Sequence, residues 1–212
     1  MNRFHNWWAL GLLFAAACAS APEPAPEIPD IAAYAPLGVG YAWTYAVRFP
    51  GQTGERTVRI VERDAEGYFV DDAGGALRHT STGLRDRKRY LVKAPLEVGQ
   101  SWKSVVSASA VERFEILSVG EPCDTKAGRF SDCVRVASSL RRSDEVTLVA
   151  EFTWARDIGL VKIETIAEVA GKGRIPQTEQ SLLRYELDGV SGGAETGAVA
   201  TEEEDAPPEW SR

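Results

Sequence analysis

The stretch Tyr41-Ala42-Trp43-Thr44-Tyr45-Ala46-Val47-Arg48-Phe49 carries a large apolar side chain at every second position, with Ala42, Thr44, Ala46 and Arg48 in between. Alternate side chains of an extended chain point to opposite faces, so this period of two predicts a strand that buries an aromatic stripe on one side. The same signature recurs along the chain. Thr57 to Glu62, Tyr68 to Val70, Arg89 to Val92, Trp102 to Val106 and Val111 to Val119 follow, then Val134 to Leu140, Glu145 to Trp154, Leu160 to Val169 and Gln180 to Leu187. Leu77 to Ser81 also reads as a strand. Turn-forming runs separate them: Asp64-Ala65-Glu66-Gly67, Asp71-Asp72-Ala73-Gly74-Gly75, Arg141-Arg142-Ser143-Asp144 and Gly171-Lys172-Gly173. Short strands alternating with turns predict an all-β antiparallel meander forming a curved sheet or a partly open barrel. One short helix over 107–113 is the exception expected.

Pro36-Leu37-Gly38-Val39-Gly40-Tyr41-Ala42-Trp43 returns as Pro95-Leu96-Glu97-Val98-Gly99-Gln100-Ser101-Trp102. The shared letters, P-L-x-V-G-x-x-W, spell a turn that leads into a strand. Proline fixes φ, glycine permits the bend, and tryptophan plants a large side chain in the core. Two copies are too few for a solenoid and predict a domain of two similar halves.

The chain opens on Arg3 followed by the apolar run Trp7 to Ala17 and then Cys18. The run is too short to span a bilayer and has the order of an export signal over 1–17. Ala15-Ala16-Ala17-Cys18 resembles a bacterial lipobox, in which the cysteine thiol is lipidated and becomes the mature N-terminus. The same residues also satisfy an ordinary A-x-A cleavage site. Cys123 and Cys133 flank a hairpin-like segment around Gly128 and face each other across it, which predicts a disulfide in an exported chain. Zinc is the alternative, though two distant cysteines with no nearby histidine make a poor site. Pairing these two leaves Cys18 over, and lipidation accounts for the odd thiol. Residues 18–33 hold four prolines and read as a stiff tether. Ala19 after the cysteine is similar to the pattern of Gram-negative lipoproteins sorted to the outer membrane, facing the periplasm.

The 212 residues carry 24 basic and 31 acidic side chains, a formal charge of −7. Three of the acids lie in the tether and six follow Gly189, while Arg3 and Arg212 are the only bases outside 34–188. The body is therefore neutral, which argues against a nucleic-acid surface. Residues 189–212 are small, acidic and core-poor and read as disordered, with Trp210 near their end.

Catalytic chemistry is scarce. His5 leaves with the signal, so the mature chain keeps only His79, with no G-x-S-x-G elbow and no phosphate-binding loop. A histidine metal site is excluded by count, no cofactor is expected, and Asp71-Asp72 reads as a solvated turn rather than a calcium site. The domain is expected to be non-catalytic. Arg85-Asp86-Arg87-Lys88-Arg89 is either a contact for an anionic surface, through Arg85, Arg87, Lys88 and Arg89, or a charged hairpin tip. Trp43, Trp102 and Trp154 are either core pegs or the lining of a cavity for an acyl chain or other apolar ligand.

Together Pro36-Leu37-x-Val39-Gly40-x-x-Trp43-x-Tyr45, Ala127-Gly128-x-Phe130-x-x-Cys133-x-x-Val136, Trp154-Ala155 and Gly159-Leu160-Val161-Lys162 resemble a broad group of bacterial envelope lipoproteins without assigned activity. The resemblance implies a β-rich envelope domain and carries no catalytic residues. The expected role is a membrane-anchored lipoprotein whose β domain binds an apolar ligand or a protein partner. A structural or assembly component of the envelope is the alternative, and a hydrolytic enzyme ranks last.

Overall fold

The computed structural model describes residues 31–107 and 110–193. The export segment, Cys18, most of the tether, and the tail from 194 onward with Trp210 lie outside the described residues. Among the described residues, thirteen strands follow a one-turn helix, α1 (Ile31–Tyr34). They are β1 (Ala42–Phe49), β2 (Gln52–Arg63), β3 (Phe69–Asp71), β4 (Ala76–Thr80), β5 (Gly83–Arg85), β6 (Tyr90–Lys93) and β7 (Ser101–Ser107). The chain continues through β8 (Ala110–Thr125), β9 (Gly128–Arg141), β10 (Val146–Ala155), β11 (Gly159–Val169), β12 (Gly173–Leu187) and β13 (Val190–Gly193). All pair antiparallel in one sheet of order β6-β5-β4-β3-β2-β1-β12-β11-β10-β9-β8-β7, with β13 on β12.

That order forces curvature. The edges, β6 and β7, are consecutive in sequence and joined only by residues 94–100. Seven residues reach at most about 25 Å, whereas twelve strands laid flat would separate the edges by roughly 50 Å. The sheet must curl until the edges meet, giving a nearly closed barrel. Side chains complete the seam where the ladder stops. The Trp102 indole donates to the Tyr90 carbonyl at 3.0 Å. Arg89 pairs with the buried Glu112, and Trp102 stacks on Phe114 with ring centroids 5.3 Å apart.

The repeated octapeptide has one structure in both copies. The Tyr41 amide donates to the Gly38 carbonyl and the Gln100 amide to the Glu97 carbonyl, closing turns with Gly40 (φ 94°) and Gly99 (φ 85°) at the third position. Only glycine takes that left-handed backbone at no cost. The same glycines open β-bulges: the Gly40 amide and the Tyr41 carbonyl both bond Ile60, and the Gly99 amide and the Gln100 carbonyl both bond Ile116. A bulge strengthens twist, which suits strands that start a closing sheet. Val39 and Val98 stand at the solvent-facing turn position, 58 % and 68 % exposed.

The expected strands are all present. The short helix expected over 107–113 is not: Ser107 ends β7 and Ala110 to Arg113 begin β8. Cross-strand pairing of Val105 with Val111 and of Ser104 with Glu112 outweighs local helix propensity there. The helix lies instead at Ile31–Tyr34, in the stretch read as tether, because Ile31 and Tyr34 have a core to enter. The stretch read as disordered tail opens with β13. Asp188 (φ 42°) and Gly189 (φ 78°) form the two-residue hairpin turn that returns it onto β12.

Cys123 and Cys133 are bonded, with Cα atoms 6.1 Å apart. They do not stand directly opposite each other. Cys123 pairs with Phe130 and Cys133 with Glu121, because the register shifts between them. The stapled tip reaches β12 just where β11 departs from it. There the Lys126 amide donates to Ser181 Oγ at 3.2 Å and the Ala127 amide to the Leu182 carbonyl at 2.7 Å.

A polar latch holds α1. Tyr34 Oη donates to Asp132 Oδ1 at 2.7 Å, Arg156 Nε to Asp132 Oδ2 at 2.6 Å, and Arg156 Nη2 to Tyr34 Oη at 3.0 Å. The Arg156 guanidinium also lies 4.6 Å from the Tyr34 ring centre. Burial alone would raise the Asp132 carboxyl, but hydrogen bonds from Arg156 and Tyr34 and the Arg156 charge outweigh it and hold it below the usual carboxylate range. A depressed carboxyl contributes stability that is present above its unfolded pKa of about 3.9 and lost as pH falls through the folded value. Asp132→Asn should therefore lower the melting temperature at pH 7, and the gap to wild type should close below about pH 4. Thermal melts of both proteins across pH 2.5 to 7 check this; a gap independent of pH would contradict the latch.

Candidate functional site

Register places a row of side chains on the inner face. Val47 stands opposite Gln180, Gln180 opposite Ile163, Ile163 opposite Phe152, Phe152 opposite Val136, and Val136 opposite Ile116. Trp102 and Phe114 pair further along the same wall, and α1 with Ala35 fills the adjoining core together with Leu84, Val92 and Leu96. The seam side of the interior is thus solid.

The other side is not. A cavity of about 210 Å³ remains beneath Ala35, Pro36 and Leu37, the segment that leaves α1. Strands β1 and β2 give it Trp43, Tyr45, Val58 and Ile60; β3 and β4 give Phe69 and Leu77; β10 and β11 give Trp154, Leu160 and Ile163. Its polar lining is confined to Arg56, Asp71 and Gln180. Apolar walls with a few polar groups are the usual make-up of a small-molecule site. At roughly 30 Å³ per water-sized group the volume takes about seven such groups. That suits a short acyl chain or a small ring and is too little for a two-chain lipid.

The lining tyrosine is structural. Tyr45 Oη donates to the Leu160 carbonyl at 2.8 Å, tying β1 to β11 across the interior. Burial pushes its phenol far up, with Arg56 lowering it and Asp71 raising it by smaller amounts. The Asp71 carboxylate is spoken for: its Oδ1 accepts the Ala73 and Gly75 amides at 2.9 and 2.8 Å. This is a turn cap, as the sequence suggests for Asp71-Asp72.

The three tryptophans divide. Trp43 and Trp154 line the cavity, and Trp102 sits at the seam as a core peg. Trp43 Nε1 donates to the Ile158 carbonyl at 2.7 Å, and Gly159, with φ 107°, lets the backbone lie against its indole. Trp154, only 2 % exposed, has no acceptor for its Nε1 among the described residues.

The basic cluster occupies the hairpin between β5 and β6, and its charge is largely answered within the fold. Arg87 pairs with Asp64 at 2.5 Å and Glu66 at 3.4 Å and lies over Tyr68. Arg89 pairs with Asp86 and Glu112, and Arg85 lies over the Tyr90 ring. Lys88 is exposed, and its amide caps on Asp86. These arginines brace the hairpin and the seam. His79, in β4, has its Nε2 2.8 Å from the Ala35 carbonyl and so supports the cavity roof. Among the described residues no group of three or more His, Cys, Asp or Glu is placed to hold a metal ion.

Sequence reading singled out Trp43 and Trp154 but not Arg56 or Gln180. Both are polar members of exposed-looking strands, and only cross-strand register shows that they face the interior. No family model matches this chain, and neither does any curated protein. Two solved structures are similar to it. One is a Bacteroides fragilis protein inferred to be exported, with a YmcC-like fold; it is 14 % identical, with a TM-score of 0.42, over 72 % of this chain and 98 % of that one. The other is a Parabacteroides distasonis protein inferred to be a lipoprotein, 12 % identical with a TM-score of 0.37, over 70 % of this chain and 96 % of that one.

The two cavity tryptophans should respond differently to loss of the indole N–H. Trp43→Phe breaks a buried hydrogen bond, whereas Trp154→Phe removes an unsatisfied donor. Both leave a similar void, so Trp43→Phe should be the less stable variant by about 2 kcal/mol. Urea unfolding of the two variants measures the difference, and equal costs would refute the assignment.

Proposed function

We propose that the chain is a bacterial envelope lipoprotein, exported by residues 1–17 and lipidated at Cys18. The lipid holds it at the outer membrane facing the periplasm, and its non-catalytic barrel binds a small apolar ligand in the cavity beneath Ala35–Leu37. The observation that carries the binding reading is the cavity itself, an apolar space left in an otherwise filled barrel. Its walls are apolar and its mouth opens to solvent beside the exposed Arg56, so a ligand can enter and burial of its apolar surface there is favourable. The non-catalytic reading is supported by the one histidine of the mature chain, whose ring nitrogen lies against the Ala35 carbonyl.

Titration with an eight-carbon alcohol, followed by calorimetry, should give saturable one-site binding. Ile163→Trp and Val58→Phe, each of which fills the cavity, should abolish binding while leaving the melting temperature unchanged or raised. Absence of saturable binding to wild type, or binding that survives both variants, would reject the cavity as the site. Mass spectrometry of the mature protein should show an acylated Cys18 as first residue; an unmodified Cys18 or a retained signal would refute the anchor.

A further inference from the structure

Two of the three polar residues lining the cavity, Arg56 and Gln180, lie together. Arg56 on β2 stands opposite Tyr45 of β1, and Gln180 on β12 stands opposite Val47 of β1. Tyr45 and Val47 are successive positions on one face of β1, so Arg56 and Gln180 flank that strand on the inner face about 7 Å apart along it. Both lie toward the end of β1 that leads to the turn at Pro50 and Gly51. Trp43, Val58 and Ile60, toward the start of β1, line the cavity's other end. The cavity thus carries a cation and an amide at one end, while the other end is apolar apart from Asp71, which stands opposite Ile60.

Several arginines of the strands pair with acids, Arg48 with Glu179, Arg59 with Glu186, Arg135 with Glu151 and Arg184 with Glu55. The Arg56 side chain has no ion pair, hydrogen bond or ring contact among the described residues, and Gln180 has no side-chain hydrogen bond there. Gln180 is also the one polar member of the inner row from Val47 to Ile116. Its amide is half-buried and is left available to a ligand in the cavity. Asp71 is the acid of the lining, and its Oδ1 is already capped by two amides.

We propose that the ligand is a single-chain amphiphile with a carboxylate head: its tail occupies the apolar end, and its carboxylate is bound by the Arg56 guanidinium with a further hydrogen bond from the Gln180 amide. Guanidinium and carboxylate match in shape and charge, and the planar fork offers two parallel N–H donors. This inference rests on the cavity-binding reading and adds the chemistry of the head group to it.

The test compares three eight-carbon probes, octanoate, octanol and octylamine, by calorimetry at pH 7.5. The wild type should bind octanoate about three- to fivefold more tightly than octanol, the size expected of a solvent-accessible ion pair. Octylamine should bind more weakly than octanol. Added salt should shrink the octanoate preference. Arg56→Gln should bring octanoate to the level of octanol without changing octanol affinity, and Arg56→Lys should keep part of the preference. Arg56 is exposed, so neither variant should alter the melting temperature. Equal binding of octanoate and octanol to the wild type, stronger binding of octylamine, or a preference that survives Arg56→Gln would overturn the head-group assignment while leaving the cavity reading intact. Failure of all three probes to bind would overturn both.

Discussion

Residues 94–100 carry the chain from one edge of the sheet to the other, and everything else in the architecture depends on their being too short for a flat sheet. Because the link joins β6 to β7, the twelve strands of the main path must wrap until their ends meet. At the seam the two edges are covered by side chains rather than joined by ladder hydrogen bonds, which blunts them against pairing with other chains. The meeting line is sealed by side chains: the Trp102 indole on the Tyr90 carbonyl and the Arg89–Glu112 pair. A charged pair at this place is supported by its surroundings. Burial would lower the Arg89 guanidinium, but bonds to Glu112 and Asp86 and their charges more than restore it.

A closed sheet of this many strands encloses more space than its own side chains fill. Larger barrels leave a lumen for a plug, a ligand or water. Here the plug is α1 with Ala35, packed against Leu84, Leu91 and Leu96, and it fills only the seam side. The Tyr34–Asp132–Arg156 latch fixes α1 in place, and the segment after it, Ala35 to Leu37, becomes the roof of what is left. The cavity is thus a consequence of closure with an undersized plug. Its polarity follows from where β1, β2 and β12 place Arg56 and Gln180.

Much of this was legible in the chain. The alternation from Tyr41 to Phe49 yields β1, and the Pro-Leu-x-Val-Gly-x-x-Trp repeat marks two equivalent bulged turns, each followed by a buried tryptophan. These are local features: a period of two and a glycine that tolerates positive φ. The Cys123–Cys133 bond was legible too, though their offset register was not, because a bulge leaves no mark in composition. The expected helix over 107–113 failed because a strand pairing decided it, and pairing partners are distant in sequence. The Asp188-Gly189 turn was a readable signal, obscured by the acidic stretch after it.

The sequence alone determined the all-β class, most of the strand positions, the pattern ending at Cys18 that reads as an export signal, and the scarcity of catalytic groups. Each of these depends on neighbouring residues or on composition. Barrel closure, the division of Trp43 and Trp154 from Trp102, and the inward placement of Arg56 and Gln180 came only from the tertiary structure. Whether a strand residue faces the lumen or the solvent depends on which face of the sheet curls inward, and that is set by long-range pairing and by the length of one connection.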